Sequence, residues 1–443
     1  MTVAARPGYH FTVPKGWIND PHGVSWHDGR YELFFQYNPA APEWVVACRW
    51  GRASAPGLVR WGRPEVALSP QDGEAGCWTG SVVTTDDGIP VIVYTSVRPE
   101  NLDLGTVVLA TGDRDWRAWT AEPSAPVVTG PPEGHGLRIF RDPHVERDGE
   151  GWRMVIGGGT PDGRGLALLY RSADLRSWTF EGILAERPAD LVEPVAAGAA
   201  WECVQFFPLD GRWVLLLSAW EDGVPARVVA AVGDFDGSRF TATGWQRFGA
   251  TDVVYATTTF LDADGRRCAM SWARDPRPVS SGYAGALSLP WRLAVHGDRL
   301  VQFPHPDVDT LRTGRLALLQ GPGRAGPFLP FLDVELVPGA SPGPVRLELR
   351  GNAGPAVLTV VLAGDGAAVL QPAGGEPVEL DAASALDGDR GLRLLIDSGL
   401  VEVATAAGDA AFLRLPDPGA LSLAVLEGAS SAVIVHGMPS GRS

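Results

Sequence analysis

Short runs rich in Val, Leu, Phe and Trp dominate the chain, and turn residues cut each one off after a few positions. YELFF, IPVIVYT, EGWRMVIGG, RWVLLLS and RRCAMSW are examples, and long stretches at helical period are scarce. The pattern predicts an all-β fold. An Asp-Gly pair stands ahead of each of these runs, at Asp28-Gly29, Asp87-Gly88, Asp148-Gly149, Asp210-Gly211 and Asp264-Gly265. Asp-Gly between strand-like runs predicts a hairpin with a type I′ turn, which needs positive φ at both central residues. The five turns lie 59, 61, 62 and 54 residues apart. A repeat of that length, with room for about four short strands, predicts the blades of a propeller. SAPGLVRW (54–61) and SADLRSW (172–178) add similar punctuation between hairpins. Five blades account for residues 1–300.

Beyond Pro304 the texture changes to short alternating runs, VRLELRG, AVLTVVLAG, LRLLIDSGLVEVATAA and LSLAVLEG, with no tryptophan after Trp291. This predicts a β-sandwich over 316–443, joined by a linker at 301–315 rich in Gly, Pro and Asp. A sandwich can pack on its own propeller or contribute to a homo-oligomer.

Composition narrows the functional classes. The 443 residues carry 52 acidic and 37 basic side chains, a formal net charge of −15. That balance argues against nucleic acid and anionic membrane surfaces, which need clustered Lys and Arg. No apolar run approaches the roughly 20 residues of a membrane helix. The opening MTVAARPGY lacks the apolar stretch of a secretory leader, which for a chain starting there points to the cytoplasm. Cys48, Cys77, Cys203 and Cys268 are widely separated and form no Cys-x-x-Cys pair, which predicts reduced, buried thiols. His10, His22, His27, His135 and His144 lack ligand spacing, so neither metal nor cofactor is expected.

Three segments place polar residues where strands should begin: Trp17-Ile18-Asn19-Asp20-Pro21, Phe140-Arg141-Asp142-Pro143 and Trp201-Glu202-Cys203. Asp20, Asp142 and Glu202 precede their Asp-Gly turns by 8, 6 and 8 residues. First strands of propeller blades line the central channel, so these carboxylates should converge in one pocket. Carboxylates in an aromatic cleft suit glycoside cleavage, with one group ionised and another protonated. Trp201 and Phe206 are the expected apolar neighbours that would raise the pKa of Glu202.

At these residues the sequence resembles glycoside hydrolase family 32, the fructan-active invertases, levanases and inulinases. GYHFTVPKGWINDPHG is similar to that family's Trp-Met-Asn-Asp-Pro-Asn-Gly block, with Ile18 for Met and His22 for Asn. FFQYNP, WGRAS (with Arg52 for a usual His), CWTGSVV, FRDPHV, WECVQFFPL, GALSLPWRL and DSGLVEV resemble further blocks in family order. The resemblance implies a five-bladed propeller followed by a sandwich, and a retaining β-fructofuranosidase. It implies Asp20 as nucleophile, Glu202 as acid/base and Asp142 as transition-state stabiliser. Asn19, Gln36, Trp44, Trp78, Ser81 and Arg141 match substrate-binding positions. The implied partner is a small fructoside: sucrose, a fructooligosaccharide, inulin or levan.

Departures from the family pattern fall at Glu43–Arg49, which is unusually apolar, at Asp252 and Tyr255, one residue further apart than usual, and at Thr106. These are expected near the leaving group. Fructosyl transfer, including formation of difructose anhydrides, is the alternative outcome of the same covalent intermediate. An arabinofuranosidase-like specificity and a non-catalytic sugar-binding propeller are the remaining readings.

Overall fold

The computed structural model describes residues 6–274, 281–337, 339, 343–352, 354–382, 391–416, 418–428 and 431–441. The chain is nearly all β. Its first part runs as five successive four-strand antiparallel meanders. Their first strands are Gly16–His27, Gly76–Thr84, Ile139–Asp148, Ala200–Leu209 and Val254–Leu261. The fifth meander is completed by Arg267–Ala273, Trp291–His296 and Arg299–Pro304. A two-residue strand, Tyr283–Ala284, leaves this last meander to pair in parallel with Gly16 and Trp17.

All five Asp-Gly pairs lie in hairpin turns between the first and second strands of a meander. Only Asp28-Gly29 and Asp210-Gly211 carry positive φ at both residues, as a type I′ turn requires. At Asp87, Asp148 and Asp264 only the glycine has positive φ, so the type I′ expectation fails at those three turns. A further pair, Asp222-Gly223, makes a turn with both φ positive between the second and third strands of the fourth meander.

Residues after Gly314 form two six-stranded antiparallel sheets. Alternate residues of both sheets meet in one apolar core, including Leu347, Leu349, Leu394, Ile396, Val401, Val403 and Val435. The segment expected as a linker is ordered and packed. It contains the end of Arg299–Pro304 and the 3-10 helix Pro306–Leu311, whose Val308 and Leu311 are buried against Tyr9 and Leu395.

Candidate active site

Every first strand is interrupted at the same level. The register between first and second strands slips at Asp20, at Thr79, at Asp142-Pro143, at Cys203-Val204 and at Ala256-Thr257. A β-bulge re-aims a side chain and frees backbone groups from the ladder. Asp142, Cys203 and Ala256 also adopt positive φ (64°, 49° and 47°), a region non-glycine residues enter at a cost. The freed groups find partners on neighbouring meanders. The Asp142 amide donates to Thr95 Oγ1 (2.7 Å), and the Cys203 amide donates to Asp142 Oδ2 (2.9 Å). The Ala256 amide donates to Ser218 Oγ (3.0 Å).

The bulges surround a cavity of about 400 Å³ lined by Asp20, Asp142 and Glu202 together with Asn19, Gln36, Trp44, Trp78 and Arg141. Sequence reasoning placed all eight here. Ser81 is different: it is buried beneath this layer, where its hydroxyl donates to the Pro143 carbonyl (2.6 Å) and accepts from the Val145 amide (3.0 Å). Its place is structural support of the Asp142 strand rather than the cavity wall.

Asp20 accepts hydrogen bonds from Thr79 Oγ1 (2.7 Å) and Asn19 Nδ2 (3.0 Å). Burial and the Glu202 charge push its pKa up to about 6 in spite of those bonds. Asp142 is raised too, by burial first and then by Glu202, with Arg141 opposing. Arg141 sits between the rings of Trp78 (5.3 Å) and Trp220 (5.1 Å), with its Nε 3.9 Å from Glu202 Oε2. The Cys203 thiol lies 3.5 Å from Asp142 Oδ2 and 3.8 Å from Asp20 Oδ2, and burial among these carboxylates keeps it a thiol.

Trp201 and Phe206 do not border Glu202 as expected. They face the opposite way, into the core between the third and fourth meanders: Trp201 because side chains alternate along the strand, and Phe206 because the bulge at Cys203-Val204 offsets that alternation by one residue. The aromatic wall is instead Trp17, Trp44, Trp78, Trp220, Tyr255 and Trp272. Sequence reasoning missed Thr79, Asp103, Trp220 and Trp272. Thr79 sat inside a quoted block, and the others belong to second or third strands that carried no motif.

Among the departures, Trp44 and Tyr255 reach the cavity, and the Val46 carbonyl accepts from Trp78 Nε1 (2.9 Å). Asp252 is instead bonded to Arg247 on the surface, and Thr106 donates to the Ser96 carbonyl (3.4 Å), so neither lines the cavity. Arg52 pairs with Glu32 (2.8 Å) away from the pocket. His22 packs on Trp50 at 3.9 Å, and burial drops its pKa to about 3, leaving it neutral.

The four cysteines are unpaired and buried. One group of metal-ligating type exists among the described residues, Asp262, Cys268 and His305. Asp262 Oδ2 already accepts from His305 Nε2 (3.0 Å) and Arg266 Nε (2.6 Å), and a cation there would face the guanidinium.

Clustered carboxylates in a cleft of tryptophans define a site of the glycosyl hydrolase class. Residues 10–304 match the model of the glycosyl hydrolases family 32 N-terminal domain. The chain belongs to glycosyl hydrolases family 32. It is 31% identical over 345 residues to an insoluble β-fructofuranosidase isoenzyme of Arabidopsis thaliana, covering 69% of this chain and 56% of that protein. It is 30% identical over 341 residues to the sucrose-6-phosphate hydrolase of Escherichia coli, covering 69% and 66%. The matches thus span less than two thirds of these relatives' lengths. The fold resembles a β-fructofuranosidase of Bombyx mori (TM-score 0.84, 25% identity, 98% of this chain and 94% of that one). A variant of that enzyme in complex with sucrose gives a TM-score of 0.85 at 25% identity, covering 99% and 95%. No helix among the described residues is long and apolar enough to cross a membrane.

Proposed function

We propose that the chain is a retaining β-fructofuranosidase that releases terminal fructose from sucrose or short fructans. The observation that carries this reading is the convergence of Asp20, Asp142 and Glu202 from three bulged strands on one aromatic-walled cavity. The five meanders are read as the blades of a propeller, with the sandwich as a second domain beginning after the 3-10 helix.

Asp20 is the nucleophile. Its carboxylate attacks the anomeric carbon of the fructosyl unit while Glu202 protonates the glycosidic oxygen, and the leaving sugar departs. Glu202, now anionic, takes a proton from water as that water attacks the same carbon. The bond to Asp20 breaks and fructose leaves. Asp142 accepts hydrogen bonds from ring hydroxyls and strengthens them as positive charge develops. Asn19, Gln36 and Arg141 offer polar contacts, and Trp44 and Trp78 offer flat apolar faces to the sugars.

Fructosyl transfer is the second reading. The half-exposed Trp44, with Trp220 and Trp272, offers stacking surface on which a second sugar could replace water as acceptor. The test is a chromatographic product profile on sucrose, kestose, inulin and levan with an Asp20→Asn control. Free fructose that the control fails to produce supports the hydrolase, with equal glucose and fructose from sucrose. A large fructose deficit, with longer or cyclic fructosides, supports transfer. Full activity in the control overturns the role of Asp20.

A further inference from the structure

Two buried carboxylates of the sandwich make contacts that no catalytic step uses. Asp397 and Glu402 belong to one hairpin of the sandwich: Asp397 ends the strand Leu392–Asp397, and Glu402 lies within Leu400–Thr405. Both are fully buried, and both clasp the imidazole of His10: Asp397 Oδ2 lies 2.7 Å from Nδ1, and Glu402 Oε1 lies 3.0 Å from Nε2. Asp397 also accepts from the backbone amides of Gly8 (2.5 Å), Tyr9 (2.9 Å) and His10 (2.7 Å). Glu402 also accepts from the Leu289 amide and from Trp291 Nε1, each at 2.9 Å.

The two segments held this way flank the strand that carries Asp20. Residues 8–11 lead into it, and the Leu287 amide donates to the Phe11 carbonyl (2.9 Å). Residues 282–285, which come four residues ahead of the held Leu289, lie along it: Gly16 donates to the Gly282 carbonyl (2.9 Å), and Tyr283 and Ala284 pair with Gly16 and Trp17. Gly285 fits only as glycine, since its φ is +83° and a Cβ would sit 2.0 Å from the Ile18 carbonyl oxygen. Ile18 is two residues from Asp20.

We infer that the Asp397–His10–Glu402 cluster is a positioning device, through which the sandwich fixes the register and depth of the Asp20 strand. The inference rests on Asp20 being the nucleophile. The titratable groups facing His10 are Asp397, Glu402 and the stacked ring of Tyr9, beyond which lie Asp333 and Arg393. Burial alone would lower the His10 pKa, but its two carboxylate partners raise it to about 9. With a folded pKa above the unfolded one, the clasp is complete below about pH 6.5 and weakens as pH rises through 9.

The test uses the full chain with Glu402→Gln, His10→Gln and, as a milder change, Trp291→Phe. Turnover of a fructoside that the wild type cleaves, at a temperature where near-ultraviolet dichroism shows each variant folded, should lose about 10- to 100-fold in kcat. KM should stay within about twofold, because the sugar-contacting groups are untouched. Hydrogen exchange of the 16–27 peptide should rise selectively in each variant. In the wild type it should rise between pH 7 and 9.5 more steeply than in His10→Gln. A fall in melting temperature with kcat and 16–27 exchange both unchanged would overturn the inference and leave the cluster purely structural. Absence of wild-type turnover on every fructoside, or an active Asp20→Asn variant, would instead sink the catalytic reading, while the exchange experiment would still report on the mechanical link.

Discussion

Two groups of buried carboxylates in this protein are treated in opposite ways. In the sandwich, Asp333 is fully buried but accepts from Arg393 Nε (2.9 Å), Arg393 Nη2 (2.7 Å) and Arg312 Nε (2.5 Å). Burial pushes its pKa up, yet the two guanidinium groups outweigh burial and hold it below the usual range. In the cavity, Asp20, Asp142 and Glu202 share one guanidinium, Arg141, whose nearest approach to Glu202 is 3.9 Å. There burial first, and then repulsion from Glu202, pushes Asp20 and Asp142 upward. Charge is neutralised where it serves cohesion and left less compensated in the cavity, where the proposed reaction calls for a proton donor and a nucleophile.

The contrast is broken most severely at Asp20. Replacing it with Asn should reduce turnover to background. The same change should raise the melting temperature by about 2–5 °C, because an anion that folding disfavours is gone. The sign follows from a folded pKa near 6 against 3.8 unfolded: ionisation at neutral pH costs stability, and that cost sets in as pH rises through the interval. A calorimetric scan of the two proteins at pH 7 checks it. Glu202→Gln should lower kcat by about 10²- to 10⁴-fold, and a leaving group of low pKa should restore much of the first step. At the other pole, Asp333→Asn should cost about 3–5 kcal/mol in denaturant unfolding while turnover at low temperature persists, because the buried Arg393 and the half-buried Arg312 lose the carboxylate they share.

Smaller changes sharpen the picture. The acid limb of kcat/KM should fall near pH 6, where Asp20 gains its proton and can no longer attack. Thr79→Val removes a hydrogen bond to the anion and should move that limb up by about one unit in a pH–rate profile. Ser81→Ala should leave KM nearly unchanged and cost roughly 1 kcal/mol of stability, since its hydroxyl bonds the Asp142 strand rather than the cavity.

The parts legible in the sequence were those that repeat or that resemble a family block. Evenly spaced Asp-Gly pairs marked all five hairpins, and the three acidic segments marked the strands that meet. The turn types were not legible at Asp87, Asp148 and Asp264, because Asp-Gly serves a turn with one positive φ as readily as one with two. The bulges were not legible either. A bulge offsets alternation by one residue, so the direction of Trp201 and Phe206 relative to Glu202 could not be read from spacing. Trp220 and Trp272 come from strands whose only sequence mark is hydrophobicity, and pairing across meanders brings them in. His10 had no visible partner because Asp397 and Glu402 lie almost four hundred residues away along the chain.

The parallel pairing of Gly16 and Trp17 with Tyr283 and Ala284 sets a clock for synthesis. At about 5–20 residues per second, the strand bearing Asp20 emerges from the ribosome roughly 15 to 50 seconds before its partner. For that interval its edge is open, and Asp20 cannot yet be seated. The site therefore cannot be completed until residues 283 and 284, roughly two thirds of the way along the chain, have been made, and on the proposed reading the nascent protein stays chemically silent until then.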